Sequence, residues 1–265
     1  MRLGHHTNTW GPIVGHPAGV TSIAKAHSLT SASMATAIGD IASAGYAGVE
    51  LFDGNVVHGG DELDRALGEH GVSLVGVYCG GNFIYPDALA DELSRIEDVA
   101  ALAVTHGAEH LVIGGGARRT APAGDFVDID RLAGALDRVV EIAERHGLTP
   151  TYHPHMGTLI ETPEDIRRLF SLTRIGFCPD TGHLILGGGD PAALVREYAG
   201  RISYVHLKDV TADGAFVPLG HGVLDLDAVL AALREQDYDG WLMVELDRWD
   251  DPAAGAAVSY ARLTA

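Results

Sequence analysis

The stretch TYHPHMGT places His153 and His155 two positions apart at the end of an apolar run. Residues two apart on a strand share a face and lie about 6.6 Å apart, so both imidazoles can look into one site. Three other apolar runs close on a polar residue in the same way: Asp180 in IGFCPD, His206 in SYVHLKD and Glu245 in LMVELD. Counting in twos, Glu245 goes with Trp241 and Met243, against Leu242, Val244 and Leu246. Likewise His206 goes with Tyr204 and Lys208, Asp180 with Gly176 and Cys178, and His153 with Thr149, Thr151 and His155. Any one of these residues alone is more simply a satisfied polar group or a helix cap. Four at one depth, on neighbouring strands about 4.8 Å apart, converge on a volume the size of an ion. Two imidazoles and two carboxylates suit a borderline divalent cation better than Ca²⁺, with Mn²⁺ first and Co²⁺, Fe²⁺, Zn²⁺ or Mg²⁺ after it. Such an ion polarises a ketone and stabilises the enediolate left when the adjacent C–H is deprotonated. Reprotonation at the other carbon isomerises the substrate, reprotonation from the opposite face epimerises it, and loss of a β-hydroxyl dehydrates it. A larger β-substituent can leave by the same route, as from a 3-keto-glycoside.

For these side chains to meet, the chain must build strands that end together. Short β-branched runs alternate with longer stretches rich in Ala, Leu and Glu, which is a repeated βα unit. Strands are predicted at 3–8, 48–53, 73–80, 110–115, 148–155, 175–180, 202–208 and 241–247. Helices are predicted near 33–45, 60–70, 87–106, 128–146, 162–172, 190–199, 225–236 and 252–263. Thr162-Pro163, Asp190-Pro191 and Asp251-Pro252 each set a cap residue before a helix-starting proline. Eight such units predict a single (β/α)₈ barrel over residues 1–265, with active-site residues on the C-terminal strand ends. A doubly wound sheet would want a Gly-rich first turn, and Asn8-Thr9-Trp10-Gly11-Pro12 is not a dinucleotide fingerprint. The connection from about 9 to 31 is long for such a fold and rich in Gly, Pro, His and Ser, which marks it as functional and a candidate lid that excludes water.

Composition narrows the ligand. With 36 acidic against 18 basic residues the net charge is -18, which repels nucleic acid and anionic membrane surfaces. No run is apolar enough for a membrane span and the N-terminus lacks a signal core, so a cytoplasmic protein is expected. Cys79 and Cys178 sit in strand runs and read as buried small hydrophobes. Gly114-Gly115-Gly116 and Gly187-Gly188-Gly189 do not follow strands seven and eight, where barrel phosphate sites usually lie, so they read as turns and the substrate as unphosphorylated.

The C-terminal half resembles the xylose-isomerase-like superfamily of sugar isomerases, epimerases and dehydratases. The residues that carry the resemblance are Pro179-Asp180-Thr181-Gly182-His183, Tyr204-Val205-His206-Leu207-Lys208-Asp209 and Val244-Glu245-Leu246-Asp247. It implies that Asp180, His206 and Glu245 bind metal, and that the fourth ligand, a Glu in the epimerases, is His153 here. Those epimerases use two metal-bound glutamates as an acid/base pair, and this chain has one. Together with TYHPHMGT and VELDRWDDP, the pattern is most similar to the inosose dehydratase branch. It implies a small keto-cyclitol or keto-sugar as substrate and β-elimination as the reaction, with isomerisation, epimerisation or 3-keto-glycoside cleavage as alternatives. The N-terminal GHHTNTWGPIVGHPAGV departs from that branch.

In this reading Glu245 is a ligand and a possible base, His155 or His183 is the acid assisting the leaving group, and Lys208 holds a substrate oxygen or pairs with Asp209 or a neighbouring strand end. Glu50 points inward as a substrate contact or as part of a buried network. Trp10 is a candidate to stack on a sugar ring, and His5, His6, His16 and His27 bracket the long loop. Two rival classes share the fold: a multi-zinc nuclease for abasic DNA, which the charge opposes, and a non-catalytic sugar-binding barrel or a subunit of a complex or homo-oligomer.

Overall fold

A computed structural model describes residues 1–15, 23–118 and 125–265. The principal strands are β1 (Arg2–His6), β2 (Gly48–Phe52), β3 (Ser73–Gly81), β4 (His110–Gly115), β5 (Thr149–His153), β6 (Gly176–Phe177), β7 (Tyr204–Leu207) and β8 (Trp241–Val244). They pair in parallel in sequence order, and β8 returns to pair with β1. Between β6 and β7 two isolated bridges, Phe177 with Ile202 and Asp180 with His206, complete the barrel. Around it run α1 (Met34–Ala44), α2 (Asp53–His70), α3 (Pro86–Thr105), α4 (Asp125–His146), α5 (Pro163–Phe170), α6 (Thr181–Leu186), α7 (Pro191–Glu197), α8 (Leu226–Arg234) and α9 (Pro252–Thr264).

The two faces of each strand separate as their alternation requires. Outward residues such as Val49, Leu51, Leu111, Ile113, Leu242 and Val244 join the helices in the main core. Inward residues form a second, small cluster of Val75, Val112, Cys178, Tyr204, Trp241 and Met243 that plugs the barrel beneath the site. Glycines make room for this plug: a methyl group added at Gly48 would overlap Val75 and the Trp241 ring, and one at Gly76 would overlap Tyr204. Burying each large side chain of the plug contributes about 2–3 kcal/mol and raises a floor under the polar residues above it. Cys79 and Cys178 are buried free thiols.

The cap signals act as the sequence suggests. Thr162 and Asp165 form a reciprocal capping box on α5, while Asp190 and Asp251 cap α7 and α9. Elsewhere the boundaries move for identifiable reasons. The sixth strand contracts to Gly176–Phe177, because Pro179 offers no N–H to a ladder and Asp180 turns the chain by capping α6, its Oδ1 accepting from His183 N at 2.9 Å. Helix α6 was not foreseen. Helix α2 starts at Asp53 rather than near 60, with a break at Gly60, whose φ of 47° interrupts it. In the described part of the long first connection, a 3₁₀ turn at Thr7–Trp10 leads into an antiparallel pair of Pro12–Gly15 with His27–Thr30. Asp53 pins this pair, receiving Ser28 N at 2.8 Å and the Arg95 guanidinium, with His27 Nδ1 at 3.2 Å. His27 is therefore a structural residue of that buried network, and His16 lies outside the described residues. No helix among the described residues is long and apolar enough to cross a membrane.

One buried histidine makes stability depend on acid. His5 donates from Nδ1 to His6 O at 2.8 Å and sits edge-on to Trp10 and Tyr46, its Nε2 buried without a partner. Burial depresses its pKa to about 4. The unfolded chain takes the proton first, near pH 6.5, so the stability held above that pH is lost as pH falls from 6.5 towards 4. Between pH 7 and 5 this loss is about 2 kcal/mol. Denaturant titrations should show His5→Gln losing about that much less than the parent over the same interval; parallel losses would remove His5 as the cause.

Candidate active site

The ends of β5, β7 and β8, and the turn from β6 into α6, each deliver one polar side chain to the barrel mouth. His153, Asp180, His206 and Glu245 are buried, and one ligand atom from each lies within 4.8 Å of the other three. His153 Nε2 is 3.2 Å from Asp180 Oδ2 and 3.6 Å from Glu245 Oε2, while His206 Nδ1 is 2.6 Å from Glu245 Oε2 and 3.9 Å from Asp180 Oδ2. Metal bonds of about 2.0–2.2 Å give ligand-to-ligand edges of roughly 3–3.5 Å, so the four atoms are spaced as the shell of one ion. His206 Nδ1 and Glu245 Oε2 are also buried atoms without a hydrogen-bond partner. Together, the orphaned atoms and the mixed N/O donors fit a divalent cation.

Neighbouring groups aim these atoms. Glu50, fully buried, sets Oε2 2.8 Å from His206 Nε2 and leaves Nδ1 for the ion, the carboxylate–histidine arrangement common behind metal ligands. Asp180 divides its carboxylate, with Oδ1 capping α6 and Oδ2 turned to His153. Lys208 is wholly buried and sets Nζ 2.9 Å from Glu245 Oε1, 2.7 Å from Asp247 Oδ1 and 3.0 Å from His183 Nε2. Asn8 donates from Nδ2 to Glu245 Oε1 at 3.0 Å and to Asp247 Oδ1 at 3.1 Å.

The electrostatics follow from three carboxylates, Asp180, Glu245 and Asp247, gathered around the Lys208 ammonium, with Glu50 set against His206. Burial alone would raise the Asp180 and Glu245 pKa values; Lys208 outweighs it, aided by His183 for Asp180 and by His206 for Glu245, and holds both well below the carboxylate range. Burial alone would lower both His206 and His153, yet Glu50 and Glu245 raise His206 to about 10, and the neighbouring Asp180 and Glu245 carboxylates raise His153. His155 and His183 go the other way: burial lowers both, reinforced by His153 and Lys208 for the first and by Lys208 for the second.

The structure brings together His153, His155, Asp180, His183, His206, Lys208 and Glu245. The His155 and His183 rings lie with centroids 3.8 Å apart and planes tilted by 40°, beside His153. One expectation is corrected. Trp10 does not face a substrate: it is buried, its Nε1 donates to Asp40 on α1, and its ring packs against His5. Of the two readings of Glu50 the buried network holds, since it is fully buried with Oε2 against His206 Nε2. Asp209 is not the partner of Lys208; its carboxylate accepts from the N–H groups of Val210, Gly220, Gly222 and Leu224 and shapes the loop after β7.

A cavity of about 290 Å³ opens beside the ligands, lined by Phe52 and Tyr78, by Asn8, Asp247, Glu245, His153 and His155, and by His6 and Pro12. Sequence reasoning missed Asn8, Asp247, Phe52 and Tyr78. Asp247 was within its reach, since it stands two residues past Glu245 as His155 does past His153.

Eight parallel strands, with four convergent side chains that could hold a metal ion at their C-terminal ends, define a β/α barrel with a candidate metal site. The family described as xylose isomerase-like TIM barrel matches residues 38–264, and the chain belongs to that family. An inosose dehydratase of Geobacillus kaustophilus is 32% identical over 234 aligned residues, covering 76% of this chain and 75% of that protein. One from Clostridium beijerinckii is 35% identical over 151 residues, 49% of this chain and 50% of its own length. Among solved structures, the probable 3-DHS dehydratase AsbF of Bacillus anthracis superposes with a TM-score of 0.79 over 100% of this chain and 99% of that one, at 15% identity, a likeness of fold.

Proposed function

We propose that this protein is a divalent-metal-dependent dehydratase of a small, unphosphorylated keto-cyclitol, with inosose as the first candidate, working in the cytoplasm. The observation that carries the reading is the four-ligand cluster opening onto a cavity lined by both aromatic and polar side chains. A divalent ion, Mn²⁺ by preference for this donor set, would polarise the ketone and offset the charge that builds as the adjacent C–H is deprotonated.

The chain's own groups do the rest. His155 Nδ1 donates to Met156 O at 2.7 Å, which fixes the tautomer and leaves Nε2 with a lone pair at the cavity. That makes His155 a base first and an acid second, in place of an acid from the start. Its Nε2 takes the proton α to the ketone and returns it to the departing β-hydroxyl. The C–H and C–O bonds break, a C=C bond forms, and water leaves. Glu245, held ionised by Lys208, serves as a ligand more readily than as a base. His183 Nε2 accepts from Lys208 and is thereby turned from the substrate, so it orients the ammonium. Phe52 and Tyr78 offer the C–H face of a ring an apolar surface.

The test is a panel: metal-loaded protein with inosose, common ketoses and a 3-keto-glycoside, followed by mass spectrometry. Inosose should lose the mass of one water while the ketoses are returned intact; release of an aglycone from the keto-glycoside without inosose turnover would replace this reading with a glycoside lyase.

A further inference from the structure

One corner of the cavity carries acceptors with nothing to accept from. Asn8 is buried, and both of its amide hydrogens are directed at Glu245 Oε1 and Asp247 Oδ1. Its Oδ1 therefore has a fixed orientation, and it is buried without a hydrogen-bond partner. Asp247 stands next to it: Oδ1 receives both Lys208 Nζ and Asn8 Nδ2, while Oδ2 has no hydrogen bond among the described residues. Both side chains line the cavity.

The corner is rigidly built. Asn8 N donates to His6 Nδ1 at 2.9 Å, Gly11 N donates to Asn8 O at 3.1 Å, and Thr9 Oγ1 donates to Leu246 O, which locks the 3₁₀ turn to the end of β8. Gly11, with φ of 98°, permits that turn. An unpartnered acceptor held this firmly carries a desolvation cost that a ligand's donor can remove.

We propose that Asn8 Oδ1 and Asp247 Oδ2 together read a hydroxyl pair on the substrate ring, away from the ketone, and so restrict the site to neutral polyhydroxylated rings. The pair presents acceptors and no donors, one of them anionic. It therefore favours vicinal hydroxyls and disfavours a carboxylate or phosphate at that position. This rests on the keto-cyclitol reading above.

The test is a cycle between protein and ligand. Inosose and its monodeoxy analogues, each lacking one hydroxyl, are compared on the metal-loaded parent, Asn8→Ala and Asp247→Asn, by kcat/KM and by calorimetric Kd. For the parent, loss of one particular hydroxyl should cost about 10³-fold in kcat/KM, because a site built to bond a hydroxyl is left with buried unpaired groups. In both variants that ratio should shrink to about tenfold at the same ring position. A residue that merely braces Glu245 would slow all analogues alike, so an unchanged ratio in the variants overturns the proposal. Asp247→Asn keeps the side-chain shape and carries the test if Asn8→Ala does not fold. Discrimination in Kd without turnover would sink the dehydratase reading and leave this corner standing; turnover without discrimination would do the reverse; neither binding nor turnover would remove both.

Discussion

Asp180→Asn should leave the barrel folded and strip it of metal. Asp180 has two separable jobs, because Oδ1 caps α6 through His183 N and Oδ2 faces the ligand cluster. An amide preserves the first through its carbonyl oxygen and presents an NH₂ group to the second. That group has no lone pair to give and no charge to offset the ion. Metal content should fall from about one ion per chain to a small fraction. Turnover should fall at least ~10³-fold, the equivalent of about 4 kcal/mol of lost charge stabilisation. Thermal unfolding of the metal-free forms should differ little. Asp180→Ala should lose the cap as well, at about 1 kcal/mol. Elemental analysis after gel filtration is the check, and full metal content in the Asn variant would remove Asp180 from the ligand set.

Lys208→Met should be the most damaging substitution outside the ligands. It removes the ammonium that lies against Glu245, Asp247 and, at 3.6 Å, Asp180, all in a fully buried position. Breaking a buried ion pair by deleting one partner costs about 3–5 kcal/mol, since the remaining charges stay uncompensated. For a chain of this size that is on the order of 10 °C in Tm. Turnover should drop roughly 10²–10³-fold as the preorganised positive charge is lost. Lys208→Arg should not rescue it, for a specific steric reason. The lysine stem passes so close to Gly182 that even a methyl group there would lie 2.8 Å from Lys208 Cγ, and Phe216 covers the ammonium 4.7 Å from its ring centre. The larger guanidinium has nowhere to go. Calorimetry and steady-state kinetics on the two variants check this; an Arg variant with parental turnover would contradict it.

Most of this site can be read from the sequence because a strand converts order into direction. The face shared by Trp241, Met243 and Glu245 is inward in the structure, where the first two join the barrel plug and the third stands above it. The same step brought His153, Asp180 and His206 to one depth. It fails where the strand period stops. Asn8 lies in a 3₁₀ turn, so its direction comes from hydrogen bonds that alternation does not encode. Trp10 shows the converse error: an aromatic side chain beside a mouth loop suggested a sugar platform, yet the turn carries it under the hairpin to Asp40. Glu50 was legible as inward, while its partner His206, 156 residues away in sequence, was not.

In the proposed function, His153 in place of a carboxylate leaves the site with one proton-shuttling imidazole and commits it to elimination. Incubating the metal-loaded protein with inosose in deuterated water tests this most directly, with substrate and product followed together by mass spectrometry and NMR. The expected result is a product lighter by one water, with no stereochemical change in the residual substrate. Deuterium entering a substrate or its epimer, with no water lost, would contradict it and make the protein an isomerase or epimerase.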